Sequence, residues 1–162
     1  MHSASGESGV VLRGVLLAPR TTFRIGGSAD FFCAVSTVQD LKEAVQFARE
    51  RDLPITVLGG GSNVLVSDEG VRGLVIHIGI SGRYFRDAPD DRVEVRVAAG
   101  EPWDDLVADT VSRGLWGLEN LSGIPGLVGA TPIQNVGAYG TEVSQRIASV
   151  EAFDTEQVNV RT

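Results

Sequence analysis

Sulfur and imidazole are scarce in this sequence. Among 162 residues there is one cysteine, Cys33, and two histidines, His2 and His77. A single cysteine excludes an internal disulfide. So few soft donors also exclude a metal cluster of the cysteine–histidine kind. No Ser–His–Asp or Cys–His constellation is readable. Basic runs are missing as well: 14 Lys and Arg stand against 21 Asp and Glu, a net charge of −7. Nucleic-acid partners normally meet a basic cluster, so none is expected. No apolar run approaches the ~20 residues of a membrane helix, so no membrane span is expected. The first nine residues are small and polar, without the basic start and apolar stretch of a signal peptide. Residues 1–19 are therefore expected to form a disordered or poorly ordered tail, ahead of one domain over residues 20–162. A lone thiol fits a reducing cytoplasm, the expected location.

What is present is patterned. With 43% hydrophobic and 22% charged residues, the composition is that of a globular protein. Phe31-Phe32-Cys33-Ala34-Val35 reads as a strand, in which Cys33 packs as a small hydrophobe. Thr37 followed by Asp40 is a variant of the capping box and opens a helix. Val38, Leu41, Val45 and Ala48 recur along it at helical spacing, and Pro54 bounds it. Strands are predicted over residues 55–58, 64–66 and 74–78. His77, alternating within the last, reads as a packed or edge residue. Val93, Val95 and Val97 alternate with Glu94 and Arg96 as a strand with one wet face. Asp87-Ala88-Pro89-Asp90-Asp91 before it is a turn. Pro102 is placed at the first position of a second helix. Trp103, Leu106, Val107, Thr110 and Val111 share its face, and Gly114 ends it. Strand-like pieces at residues 147–153 and 158–161 close the chain. The layout is mixed α+β, not a regular βαβ alternation.

Two glycine-rich segments are candidate binding elements. Gly59-Gly60-Gly61-Ser62-Asn63 follows a strand directly. Without Cβ atoms a ligand can reach the backbone, and successive N–H groups can form an anion-binding nest. Ser62 and Asn63 add donors. The loop lacks the lysine of a P-loop and the G-x-G-x-x-G pattern, and a plain tight turn is the competing reading. The second segment, residues 114–140, has seven glycines and one charged residue, Glu119. So uncharged a stretch reads as packing on something flat and apolar, or as a buried structural loop. Gln134 and Asn135 would read a polar ring edge. Glu101, Asp104 and Asp105 stand where they complement a helix dipole and are not read as catalytic.

Together these pieces resemble the UDP-N-acetylenolpyruvoylglucosamine reductase family, also called UDP-N-acetylmuramate dehydrogenases. The resemblance is carried by Thr22-Phe23-Arg24-Ile25-Gly26-Gly27 and by Leu58-Gly59-Gly60-Gly61-Ser62-Asn63-Val64-Leu65. It continues through Ala99-Gly100-Glu101-Pro102-Trp103 and Gly117-Leu118-Glu119-Asn120-Leu121-Ser122-Gly123-Ile124-Pro125-Gly126. It ends in Pro132-Ile133-Gln134-Asn135-Val136-Gly137-Ala138-Tyr139-Gly140. These five motifs, in order, cover about residues 20–160.

The resemblance implies an FAD-binding fold of two small α+β subdomains, PCMH/vanillyl-alcohol-oxidase-like, with the flavin between them. It implies FAD as cofactor, NADPH as hydride donor and a small UDP-sugar as substrate, in a cytoplasmic step of peptidoglycan synthesis. Gly59, Gly60, Gly61, Ser62, Asn63 and Val64 would hold the FAD diphosphate. Ile124, Pro125, Gly126, Ala130, Thr131 and Gly137 would border the flavin ring and ribityl chain, and Tyr139 would reach the substrate side. The family's catalytic arginine, serine and glutamate are expected after Thr162, with a C-terminal substrate domain that is absent here. No catalytic residue is assigned within the chain, which is expected to be catalytically silent alone. Two rival classes remain: another flavin-dependent oxidoreductase of the same superfamily, and a non-catalytic nucleotide-binding module. For an oxidase with covalently anchored flavin, no well-placed histidine or cysteine is seen.

Overall fold

The structure is a computed structural model and describes residues 9–162. It divides into two compact units, residues 1–79 with 151–162, and residues 80–150. Mixed helix and strand in two small units is the α+β FAD-binding architecture that the resemblance implies.

The first unit is built on a four-stranded sheet of β1 (Val11–Leu16), β2 (Ser28–Val35), β3 (Ile55–Leu58) and β4 (Val71–Ile78). Its order is β1-β2-β4-β3, with β1 antiparallel to β2 and with β2 and β3 both parallel to β4. Helix α1 (Val38–Arg49) connects β2 to β3, as parallel pairing requires a long crossover. The expected capping box is formed: Thr37 Oγ1 accepts from the Asp40 N–H at 3.0 Å, and Asp40 Oδ2 accepts from the Thr37 N–H at 3.0 Å. Ala44, Val45 and Ala48 are buried on its inner face. Alternation along β2 separates the two sheet faces. Phe31 meets Phe47 of α1, ring centroids 5.4 Å apart, while Phe32 packs with Leu17, Ala29, Leu58 and Val75 on the opposite face. Cys33 is fully buried, and burial pushes its thiol up from the ordinary value.

In the second unit β5 (Arg83–Ala88) and β6 (Arg92–Val97) form a hairpin. Helix α2 (Trp103–Ser112) follows, and its Trp103, Leu106 and Val107 form a core with Leu121 and Val143. The glycine-rich segment is short helical turns, α3 (Thr131–Gln134) and a small hairpin of β7 (Gly137–Ala138) and β8 (Thr141–Glu142). A last hairpin, β9 (Ala152–Asp154) with β10 (Asn159–Arg161), belongs to the first unit. There the Arg49 guanidinium, at the end of α1, donates to the Glu156 carbonyl at 2.9 Å.

Several expectations are corrected. The tail expected over residues 1–19 lies outside the described residues for 1–8, but Val11–Leu16 is a paired strand. Its partner β2 supplies the hydrogen bonds, and Val15 and Leu17 join the core. The segment 64–66 is not a strand. Gly27 N–H donates to the Ser67 carbonyl, and Val64 and Val66 turn into the core beside β1 and β2 instead of pairing. Pro102 caps α2 from outside with extended backbone, one residue earlier than its expected place. Of residues 147–153 only the last two are in a strand, because only there does β10 offer a partner. Val111 is half exposed rather than part of the buried face of α2.

Candidate functional site

In the first unit the glycine loop leaves the carboxyl end of β3 and is stitched to the turn before β2. The Gly61 carbonyl accepts from the Thr22 N–H at 2.9 Å. Gly61 has φ +68°, and a Cβ there would stand 2.0 Å from the Arg20 carbonyl oxygen. That position therefore admits glycine only, for backbone conformation and for space. Gly60 is exposed, Gly59, Ser62 and Val64 are half-buried, and Asn63 is exposed. The partner turn is itself held. Thr21 is buried, and its hydroxyl lies 3.2 Å from the Ala18 carbonyl and 3.0 Å from that of Ile25. The Arg24 N–H donates to the Thr21 carbonyl at 3.1 Å.

Against this loop lies a shallow hollow of about 520 Å³, lined by Pro19, Arg20, Thr21, Thr22, Arg24, Gly60 and His77. Arg20 spans the Phe32 ring, its guanidinium carbon 4.4 Å from the centroid, and donates to the Leu16 carbonyl at 3.3 Å. His77, in β4, stacks on Phe32 at 6.1 Å. Burial, and then the charge of Arg20, lower its pKa from the ordinary 6.5, so the imidazole is neutral at pH 7. The lining contains two arginines and no carboxylate. The loop alone revealed neither arginine. The signal was in the sequence, since Arg24 sits inside a motif that carries the family resemblance, but only folding brings that motif to the loop.

The second unit explains much of the glycine-rich segment by packing. Gly129 N–H donates to the Ala99 carbonyl and Val128 N–H to the Glu101 carbonyl, both at 2.9 Å, while the Trp103 N–H donates to the Gly126 carbonyl at 3.0 Å. Residues 126–129 thus run alongside 99–103, and a Cβ at Gly129 would meet the Ala99 Cβ at 2.6 Å. Asp104 Oδ1 accepts from the Gly123 N–H at 2.6 Å and from the Ser122 hydroxyl at 2.9 Å. These bonds hold its carboxyl below the usual carboxylate range. Ser122 therefore has a carboxylate neighbour, and its hydroxyl is tied up by it. The 8%-exposed Glu101 accepts from the Gly82 N–H at 2.7 Å and pairs with Arg83 at 3.0 Å. Glu101 and Asp104 do more than complement a dipole: they fasten the hairpin and the glycine-rich segment to α2.

Ile124 is half-buried against the core of this unit, and Pro125 is exposed. Gly126 and Ala130 are half-buried, and Thr131 is buried with its hydroxyl donating to the Val128 carbonyl at 2.9 Å. Gly137 is exposed in β7 and lines a hollow of about 630 Å³ with Gln134, Asn135 and Glu142. Asn135 is left-handed, φ 43°, and its amide reaches Glu142 Oε2 at 2.8 Å. Tyr139 stands at the tip of the β7–β8 hairpin with φ 52°, 91% exposed. The fold thus gathers the 59–64 loop with Arg20 and Arg24, and gathers Gly126, Ala130 and Thr131 beside α2. Tyr139 is not among the residues lining either hollow. Among the described residues no group of three or more His, Cys, Asp and Glu is placed to hold a metal. Among the described residues no helix is long and apolar enough to cross a membrane.

Comparison with known proteins matches residues 29–158 to a family described as an FAD binding domain. A UDP-N-acetylenolpyruvoylglucosamine reductase of Saccharopolyspora erythraea is 50% identical over 149 residues, 92% of this chain and 41% of that protein. One from Pseudomonas putida is 43% identical over 147 residues, 91% of this chain and 43% of that protein. The crystal structure of a UDP-N-acetylenolpyruvylglucosamine reductase from Thermus caldophilus superposes with a TM-score of 0.72 at 34% identity. That match covers 93% of this chain and 51% of the other. The chain spans less than half the length of the two curated relatives.

Proposed function

Because the chain belongs to the FAD binding domain family, we propose that it is the FAD-binding part of a UDP-N-acetylenolpyruvoylglucosamine reductase. In this reading the whole protein uses NADPH to reduce UDP-N-acetylglucosamine enolpyruvate to UDP-N-acetylmuramate, in cytoplasmic peptidoglycan synthesis. One observation carries it: 50% identity to such a reductase over 92% of the chain, including the glycine loop and the glycine-rich segment.

The residues present suit the cofactor. Gly60 is exposed and lines a hollow with Arg20 and Arg24, so backbone and two cations border the space where a diphosphate would approach. Gly59, Gly60, Gly61, Ser62, Asn63 and Val64 would hold that diphosphate through N–H groups and short polar side chains. Ile124, Pro125, Gly126, Ala130, Thr131 and Gly137 would border the flavin, and Tyr139 would meet the substrate. Bound FAD would supply hydride-transfer chemistry. The chain's own contribution is to bind and orient, with the 126–129 backbone locked against 99–103 so that the bordering residues are fixed in advance. No proton donor is assigned within residues 1–162, since the Ser122 hydroxyl is spent on Asp104.

The full-length protein tests this. It is expected to purify yellow and to oxidise NADPH only when the enolpyruvyl UDP-sugar is added. A folded protein that takes up no FAD from excess would refute the proposal. Flavin uptake with no turnover of that sugar would favour another flavoenzyme of the superfamily.

A further inference from the structure

We propose that Arg20 and Arg24 form, with the glycine loop, a cationic seat for the diphosphate bridge of the adenine dinucleotide. This rests on the FAD-binding reading and assigns charged residues to it.

Three observations lead there. The first is local charge. The chain carries 21 acidic against 14 basic side chains, yet the hollow against Gly60 is lined by two arginines and no carboxylate. Elsewhere the arginines are largely matched: Arg72 with Asp30, Arg83 with Glu101 and Asp109, Arg86 with Glu94, Arg92 with Asp90, Arg113 with Asp109 and Arg161 with Asp154. Among the described residues Arg20 and Arg24 have no acidic partner. His77, beside them, is held neutral and supplies no third charge.

The second observation concerns the donors. Arg20 lies on the Phe32 ring and spends one N–H on the Leu16 carbonyl. A guanidinium has five N–H donors, so four remain. Stacking on the ring fixes the plane of the fork, which lowers the cost of ordering it on a phosphate. Packing alone would explain an arginine on a phenylalanine. It does not explain why no carboxylate approaches.

The third is Arg24 itself. It is exposed and adopts φ 57°, a conformation that costs a non-glycine residue roughly 1 kcal/mol or more. Its backbone is pinned by the bond to Thr21, yet its side chain has no partner among the described residues. A strained turn that presents an unmatched cation beside the glycine loop is arranged for an anion. A dinucleotide diphosphate carries two negative charges. Two arginines would neutralise them where the loop itself has no lysine.

Titration of the full-length apoprotein with FAD, ADP and UDP tests the assignment, with Arg24→Gln, Arg24→Lys, Arg20→Gln and the double glutamine variant. Arg13→Gln, an arginine of β1 outside the hollow, controls for net charge. Melting curves establish that each variant is folded. Arg24→Gln is expected to weaken FAD and ADP about tenfold, and the double variant about a hundredfold. Arg24→Lys should retain most of the affinity, and Arg13→Gln should bind as the parent does. Rising salt should weaken the parent more steeply than the double variant.

Folded variants that bind FAD and ADP as tightly as the parent would overturn the arginine seat and leave the FAD reading intact. Arginine-dependent binding of ADP with no uptake of FAD would uphold the anion seat and sink the flavin reading. UDP binding as tightly as ADP, with the same losses, would move the seat to the sugar nucleotide and overturn its assignment to the cofactor. No binding of any of the three by the parent would overturn both.

Discussion

Gly60 and Gly61 are neighbours with different reasons to be glycine. Gly61 has φ +68° and no room for a Cβ against the Arg20 carbonyl. Gly60 is exposed, and its φ is not in the left-handed region. Gly61→Ala is therefore expected to lower stability by more than about 2 kcal/mol, read as a fall in melting temperature. Gly60→Val should melt like the parent but lose FAD, because a branched side chain would fill the approach to the backbone. A folded Gly60→Val protein with full flavin content would take the loop out of the site. The same reasoning spoils Gly129 as a probe of the flavin wall. A side chain there collides with Ala99 whether or not a flavin is near.

Helix α2 organises the second unit as an element. Its first residue, Trp103, is 2% exposed, sits in the core of that unit, and donates its indole N–H to the Leu121 carbonyl at 2.9 Å. Its backbone N–H binds Gly126. One side chain and one amide thus hold both ends of residues 121–126. Trp103→Ala is expected to cost about 3–5 kcal/mol, through the cavity and the orphaned carbonyl. Amide exchange should show protection lost first over residues 119–131. If protection there matched the parent's, α2 would not be what fixes the glycine-rich segment. The bonds from Asp104 to Gly123 and Ser122 reinforce the same join.

For the molecule as a whole, the proposed function separates binding from catalysis. The chain spans 41% of the Saccharopolyspora reductase. Within residues 1–162 the hydroxyl of Ser122 is committed to Asp104, and Glu101 is committed to Gly82 and Arg83. Arg146 donates to the Gly117 carbonyl and lies over the Trp116 ring. None of these three groups is therefore free to deliver a proton to an enolpyruvyl carbon. Residues 1–162 produced by themselves are therefore expected to show no NADPH-dependent reduction of the enolpyruvyl UDP-sugar. Steady-state turnover by that polypeptide, followed as NADPH absorbance, would mean that the catalytic groups lie within it after all.

Much of this was legible in the sequence, where the deciding interactions are local. The Thr37–Asp40 capping box, the helical spacing of Val45 and Ala48, the alternation of Val93, Val95 and Val97 and the glycine loop after β3 each depend on residues a few positions apart. All of them appear in the structure. The ordered motifs also led to the family, because five short patterns in sequence carry more information than any one. What the sequence did not decide depended on partners far along the chain. Residues 11–16 became a strand because β2 offered an edge. Residues 64–66, equally apolar, did not, because Gly26 and Gly27 draw the backbone close and turn Val64 and Val66 inward. Glu101 and Asp104 read as dipole charges until folding brought Gly82, Arg83, Ser122 and Gly123 to them. The seat at Gly60 likewise took its charge from Arg20 and Arg24, some forty residues earlier in the chain. Backbone conformation is set by near neighbours, but which hydrogen bonds and which charges a segment meets is set by chain topology, and that exists only once the sheet has formed.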